Sequence, residues 1–245
     1  MSFTVYTRYE LLRTFRNRRF LLFAFGFPLV LYVLIAAPNR HVHDLNGSGL
    51  SAPLYFMVGL LAFGTMTAML SSGARIAAER AVGWNRQLRI TPLSPRTYFR
   101  TKVLTGYAMS FGTIGLLYAA GAALGVRLAA DDWLKMTWLI LVGLIPFAAL
   151  GIFIGHVVTP ESIGPVIGGS TALLAFLGGV WFPLGSHGVL VNIGRALPSY
   201  WLVQAAHVGV GGSGWGTNGW LVIAAWAVGA TILARRAYVK DTKKA

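Results

Sequence analysis

Few side chains in this sequence could break or make a covalent bond. Ser110, Ser170 and His156 are the types that form a nucleophile and its base. No GxSxG elbow surrounds either serine, and all three fall in or beside long apolar runs, where hydroxyls ordinarily hydrogen-bond between helices. His41 and His43 form a His-x-His pair, with His187 and His207 farther on, but none has the spacing of a metal site. With no cysteine, disulfides, thiolate ligands and a Cys nucleophile are excluded. There is no GxxxxGK[ST] loop to cradle ATP phosphates. The sequence therefore predicts no catalytic residue, no metal and no cofactor of its own.

The polar chemistry is concentrated in Arg75–Lys102, RIAAERAVGWNRQLRITPLSPRTYFRTK, between two apolar runs. Seven of its residues are basic and one, Glu79, is acidic. Lipid does not hold such a segment, so water must. The whole chain is 56% hydrophobic and 11% charged, with a mean hydropathy of +0.63. A soluble domain carries about 25% charged residues, so this chain reads as an integral membrane protein. A net charge of +14 would suggest nucleic acid on a soluble fold. Here the basic residues cluster at the ends of apolar runs, as topology determinants do, and no nucleic-acid partner is expected.

A spanning helix needs about 20 apolar residues. Six stretches qualify, near 20–37, 54–74, 103–126, 136–158, 163–182 and 217–236. The first resembles a secretory signal, but its apolar run exceeds a usual h-region and more spans follow it, so it reads as a span. Seventeen of the 21 Lys and Arg fall in the N-terminal segment, the Arg75–Lys102 loop and the tail. By the positive-inside rule both termini and that loop face the cytoplasm, in a cell (plasma or inner) membrane. The expected fold is all-α: one transmembrane domain over residues 1–245, crossing six times.

Three further elements would position the spans. Phe3–Arg19 suits a basic helix on the inner leaflet, with Val5, Tyr9 and Leu12 on one stripe; a solvated basic tail is the alternative. Arg75–Thr91 contains no proline and reads as one cytoplasmic helix stopped by Pro92, because the residue before proline avoids the helical region. Pro198–Val210 is too short to span and too apolar for water, so an interfacial or re-entrant helix fits it, followed by a flexible connector through Gly209, Gly211, Gly212 and Gly214. Small pairs at four-residue spacing, Gly121/Gly125, Gly151/Gly155 and Gly164/Gly168, would let helices approach closely.

The residues also resemble a known family. Glu79–Gly83, Leu88 and the Thr91-Pro92-Leu93-Ser94 box look like the cytoplasmic loop of ABC type-2 exporter permeases. Gly179-Val180-Trp181-Phe182-Pro183, then Leu197-Pro198-Ser199-Tyr200, is similar to that family's fifth span and outer helix. Ala81 and Arg86 stand where the family often has acids, and Thr101-Lys102 where it has Gly-Lys. The resemblance implies a permease subunit without its own ATPase site, paired with an ABC ATP-binding subunit that holds ATP and Mg, and with a second permease chain, identical or related. It also implies an N-terminal connecting helix and a coupling helix within Arg75–Ile90. Glu79, Arg80, Gly83, Trp84 and Leu88 are the expected coupling residues, and Trp181, Phe182 and Tyr200 the expected outer gate.

Aromatic residues within the spans, without a charged pocket, favour an apolar or amphipathic cargo such as a drug-like natural product or lipid; the same rings would equally face lipid or neighbouring helices. Two alternatives stand beside this reading. A stand-alone secondary drug transporter would need an ionisable residue at mid-span, and none is found. An intramembrane hydrolase would need the Ser–His pair.

Overall fold

In a computed structural model the described residues are 3–45, 49–84, 87, 90–91, 93–182, 184, 188–207 and 214–242, and among them every regular element is helical. In chain order these are α1 (Phe3–Arg16), α2 (Arg18–Leu21), a π turn (Leu22–Gly26), α3 (Phe27–Ala36), α4 (Ala52–Ala81), α5 (Pro95–Ala123), α6 (Ala130–Gly143), α7 (Ile145–Val157), a 3₁₀ turn (Pro160–Ser162), α8 (Ile163–Gly178), α9 (Val189–Arg195), α10 (Pro198–His207) and α11 (Thr217–Thr242).

Among the described residues five helical stretches are long and apolar enough to cross a membrane: Ala52–Ala81, Pro95–Ala123, Ala130–Val157, Pro160–Gly178 and Thr217–Thr242. Over the expected first span, 20–37, the chain is helical from Arg18 to Ala36, passing through the π turn, where the Phe27 N–H bonds the Leu22 carbonyl five residues back; among the described residues its apolar stretch is Ala24–Ala36. Pro28, in the first turn of α3, has no N–H to give, and an irregular turn just before it absorbs that loss.

α4 is the axis of the bundle. Its most apolar window is 78% buried, against 22% for those of α8 and α11. In lipid such packing depends on close contact rather than on a hydrophobic drive between helices, and glycine supplies it where α4 meets α7. A methyl group at Gly73 would strike the Gly151 backbone, and one at Gly155 would strike the Gly73 carbonyl. Of the three small-residue pairs, only Gly151/Gly155 packs in this way. Gly121 meets Met57, Gly125 is a turn residue at φ +91°, and Gly164 and Gly168 face open space.

One expected element is corrected. The run Arg75–Thr91 is not a single helix. Its first part, through Ala81, continues α4, and the chain turns at Gly83, whose φ of +70° lies in the left-handed region that glycine adopts at little steric cost. The expected stop, Pro92, lies outside the described residues, as do Gly209, Gly211 and Gly212 of the connector. α5 then starts at Pro95, capped by Ser94, whose Oγ accepts from the Thr97 N–H at 3.2 Å. The expected outer helix is α10, with α9 ahead of it.

Candidate functional site

At one end of the bundle the C-terminus of α4, the N-terminus of α5 and α1 meet around buried charge. Lys102 on α5 is 1% exposed and donates from Nζ to Glu10 Oε1 at 2.6 Å and to Glu79 Oε1 at 2.5 Å. Those carboxylates are 4% and 2% exposed. Glu79 also accepts from Arg13 Nη1 at 3.1 Å and from the Tyr98 hydroxyl at 2.6 Å. Arg75 donates to Thr14 Oγ1 at 2.8 Å and stacks on Phe20, while Thr7 and Thr101 join their hydroxyls at 3.0 Å. Burial alone would raise the Glu10 carboxyl's pKa, but Lys102, by charge and hydrogen bond, with Arg75 and Arg13, holds it below its ordinary value of 4.5. Burial, with the Glu10 and Glu79 charges, pushes the Tyr6 hydroxyl above its usual range.

α1 is built for this seat. Tyr6, Glu10 and Thr14 recur every four residues and face inward, while Val5, Tyr9, Leu12 and Phe15 stay exposed. The helix thus turns its polar stripe to the protein and its apolar stripe outward, the reverse of a helix on a water-facing surface.

Arg80, the next residue on α4, points about 100° around the helix axis from Glu79 and gathers other elements. Its Nη1 donates to the His156 carbonyl at 2.9 Å and to the Gly155 carbonyl at 3.3 Å, so it caps the C-terminal end of α7, where carbonyls lack helix partners. Its Nη2 meets Asp241 Oδ1 on α11 at 2.6 Å. The rings of Phe99, His156 and Tyr238, from α5, α7 and α11, meet tilted or edge-on with centroids within 5.1–5.7 Å of one another. Two adjacent side chains of α4 therefore tie together α1, α5, α7 and α11.

The turn beyond α4 carries the other expected coupling residues. Among the described residues no atom lies within 4 Å of the Cβ position of Gly83, and Trp84 is exposed. Leu88 lies outside the described residues. Glu79 does not belong to that exposed set, being enclosed by this chain.

The three expected gate residues occupy separate settings at the opposite end. α8 ends at Gly179 with φ +78°; Trp181 then packs on Phe63 at 5.6 Å, and Phe182 is 67% exposed. Tyr200 sits edge-on to Trp201 and lines a cavity of about 90 Å³ with Tyr55, Gln204 and His207. The indoles of Trp201, Trp215 and Trp226 donate to the carbonyls of Arg195, Trp201 and Ala196 at 2.7–2.8 Å, holding α9 and α10 to the bundle.

The Ser110 hydroxyl donates to the Gly106 carbonyl, and His156 Nδ1 meets the Ile152 carbonyl, so neither of these bonds joins the two residues. Among the described residues no group of three or more His, Cys, Asp or Glu could hold a metal ion; His187 lies outside them.

Sequence reasoning missed Glu10, Lys102, Tyr98 and Asp241. A signal existed: the chain has only seven acidic residues, and Lys102 stands at the mouth of an apolar run, where an unpaired ammonium is costly.

Residues 1–210 match the family model described as ABC-2 type transporter. The chain is also similar to a Bacillus subtilis (strain 168) protein named "Putative transport permease YvfS", with 27% identity over 195 residues, covering 78% of each chain.

Proposed function

This chain belongs to the ABC-2 type transporter family, and on that premise we propose that it is the membrane-embedded permease subunit of an ATP-driven exporter. It is a multi-pass membrane protein with five helices of spanning length among the described residues. In this reading α2 and α3 add a sixth crossing, both termini face the cytoplasm of the cell membrane, and residues 1–245 act as one permease unit. A separate ABC ATP-binding subunit supplies ATP and Mg, and a second permease chain completes the path. An apolar or amphipathic cargo fits the uncharged, aromatic-lined spans.

The observation that carries the proposal is the polar junction at Glu79 and Arg80. A partner pressing on the turn at Gly83 and Trp84 acts on the end of α4, the axis of the bundle. Because Glu79 is fixed to α1 and α5, and Arg80 to α7 and α11, that push moves four elements together rather than bending one. Glu79 and Arg80 then transmit force, while Gly83, Trp84 and Leu88 form the contact. Trp181, Phe182 and Tyr200 would gate the opposite end.

The test is co-purification with candidate ATP-binding subunits and measurement of vanadate-sensitive ATP hydrolysis in vesicles. Association and cargo-stimulated hydrolysis are expected. Proton-driven transport by the purified chain alone, with no association, would sink the reading.

A further inference from the structure

Near the charged end, α5, α7 and α11 enclose an apolar groove of about 390 Å³. Its floor is made by Ala148, Ala149 and Ala234, small side chains that leave a hollow where larger ones would close it. Val103 and Ile152 form its walls. Phe99 and Tyr238, whose rings meet edge to face at 5.1 Å, bound one end.

Arg235 lines this groove and also the adjoining surface hollow, where it is joined by Arg236 and Lys240 between Ile232 and Val239. All three cations are exposed, and among the described residues none of them takes part in a salt bridge. The acid beside them, Asp241, is held by Arg80 at 2.6 Å and faces away from that duty. An apolar slot opening beside three uncommitted cations matches a ligand with a long apolar chain and an anionic head. A soluble anion has no use for the slot, and a neutral chain has none for the cations. In a chain that crosses a membrane, the molecule of that form at this depth is a lipid.

We propose that this groove holds an acyl chain of an anionic phospholipid from the adjacent leaflet, with its phosphate drawn to Arg235, Arg236 and Lys240. The proposal rests on membrane insertion and not on the transport reading. The bound chain would lie against Phe99 and Tyr238, the rings that pack on His156 of α7, so occupancy would stiffen the packing of α11 on α7.

The full chain, purified in detergent, is titrated by native mass spectrometry with phosphatidylglycerol, phosphatidylcholine of the same chains, and glycerol phosphate. Phosphatidylglycerol is expected to bind tighter than phosphatidylcholine by about fivefold or more, the factor for one cation near an anionic surface. Replacing all three cations, Arg235→Gln, Arg236→Gln and Lys240→Gln, should remove that preference, and Ala149→Trp, which fills the slot, should weaken both lipids. In the unmodified chain, phosphatidylglycerol with a photoreactive acyl chain should label peptides containing 99–107, 145–152 or 231–238. Equal binding of the two lipids, labelling only elsewhere, or competition by glycerol phosphate as effective as that of the lipid would overturn the proposal.

Discussion

The two ends of this bundle are held together by different chemistry. At one end Lys102, Glu10 and Glu79 sit out of water with Arg13 and Tyr98 around them. At the other, indole N–H groups donate to single carbonyls and rings lie edge to face. The tolerance for error differs accordingly. A buried ion network fails when one member is lost, because the others remain charged and unpaired. An aromatic layer loses one contact and leaves neutral groups behind. The first suits a joint that must move as a unit, and the second a surface that opens and repacks.

Lys102→Met should break that contrast most severely. It leaves two buried carboxylates facing each other, and loss of one partner from a buried pair costs about 3–5 kcal/mol, measurable as lowered unfolding temperature in detergent. Its pH dependence is diagnostic. In the native chain Glu10 has a lowered pKa, so its contribution is present above the ordinary carboxyl value and is lost as pH falls through the folded one. The native chain should therefore hold its stability from neutral pH down to about 5 and lose it only in stronger acid. In Lys102→Met the order reverses: neutral pH is worst, and mild acid restores part of the loss by protonating Glu10, stranded without its Lys102 partner. A flat pH profile in the variant would mean that Glu10 is not coupled to Lys102.

Next in size is the glycine contact beside this end. Gly155→Leu drives a side chain into the Gly73 backbone and should cost about 1–3 kcal/mol as overpacking. Gly168→Leu, facing open space, should change the unfolding temperature little. Arg80→Ala follows, at about 1–2 kcal/mol, because it frees two helix-end carbonyls and one partly exposed carboxylate. Hydrogen exchange should then rise selectively in α11. Smallest is Phe182→Ala at the aromatic end, expected to shift stability by less than about 0.5 kcal/mol, since the ring is 67% exposed. If that ring gates the path, transport rate changes while unfolding does not. A large stability loss would show that the aromatic end is as brittle as the charged one.

The sequence made the long apolar helices legible, since a twenty-residue apolar run has few other fates. The polar joint was not legible, for reasons visible in particular residues. Arg75, Glu79 and Arg80 looked like the start of a loop because charge ends a hydropathy run, yet each finds a partner that lets α4 continue to Ala81. Those partners are distant in sequence: Thr14 lies 61 residues from Arg75, and Asp241 lies 161 from Arg80. Periodicity within one segment carries no trace of such pairs. Gly83 was a readable signal that weighed too little against Pro92, although glycine after a helical run is a common stop. Hydropathy likewise does not register the π turn inside the first apolar run, just ahead of Pro28.

The most direct test of the proposed coupling through the polar joint is Glu79→Gln, reconstituted with the ATP-binding subunit that co-purifies with the chain, with cargo moved per ATP hydrolysed as the readout. Glutamine keeps the shape of the side chain, and Lys102 keeps Glu10 as its partner. If the joint transmits force from inside the protein, the subunit still binds, hydrolysis continues, and cargo moved per ATP falls several-fold. An unchanged ratio would contradict transmission through Glu79, and loss of subunit binding with the fold intact would make it a docking contact instead.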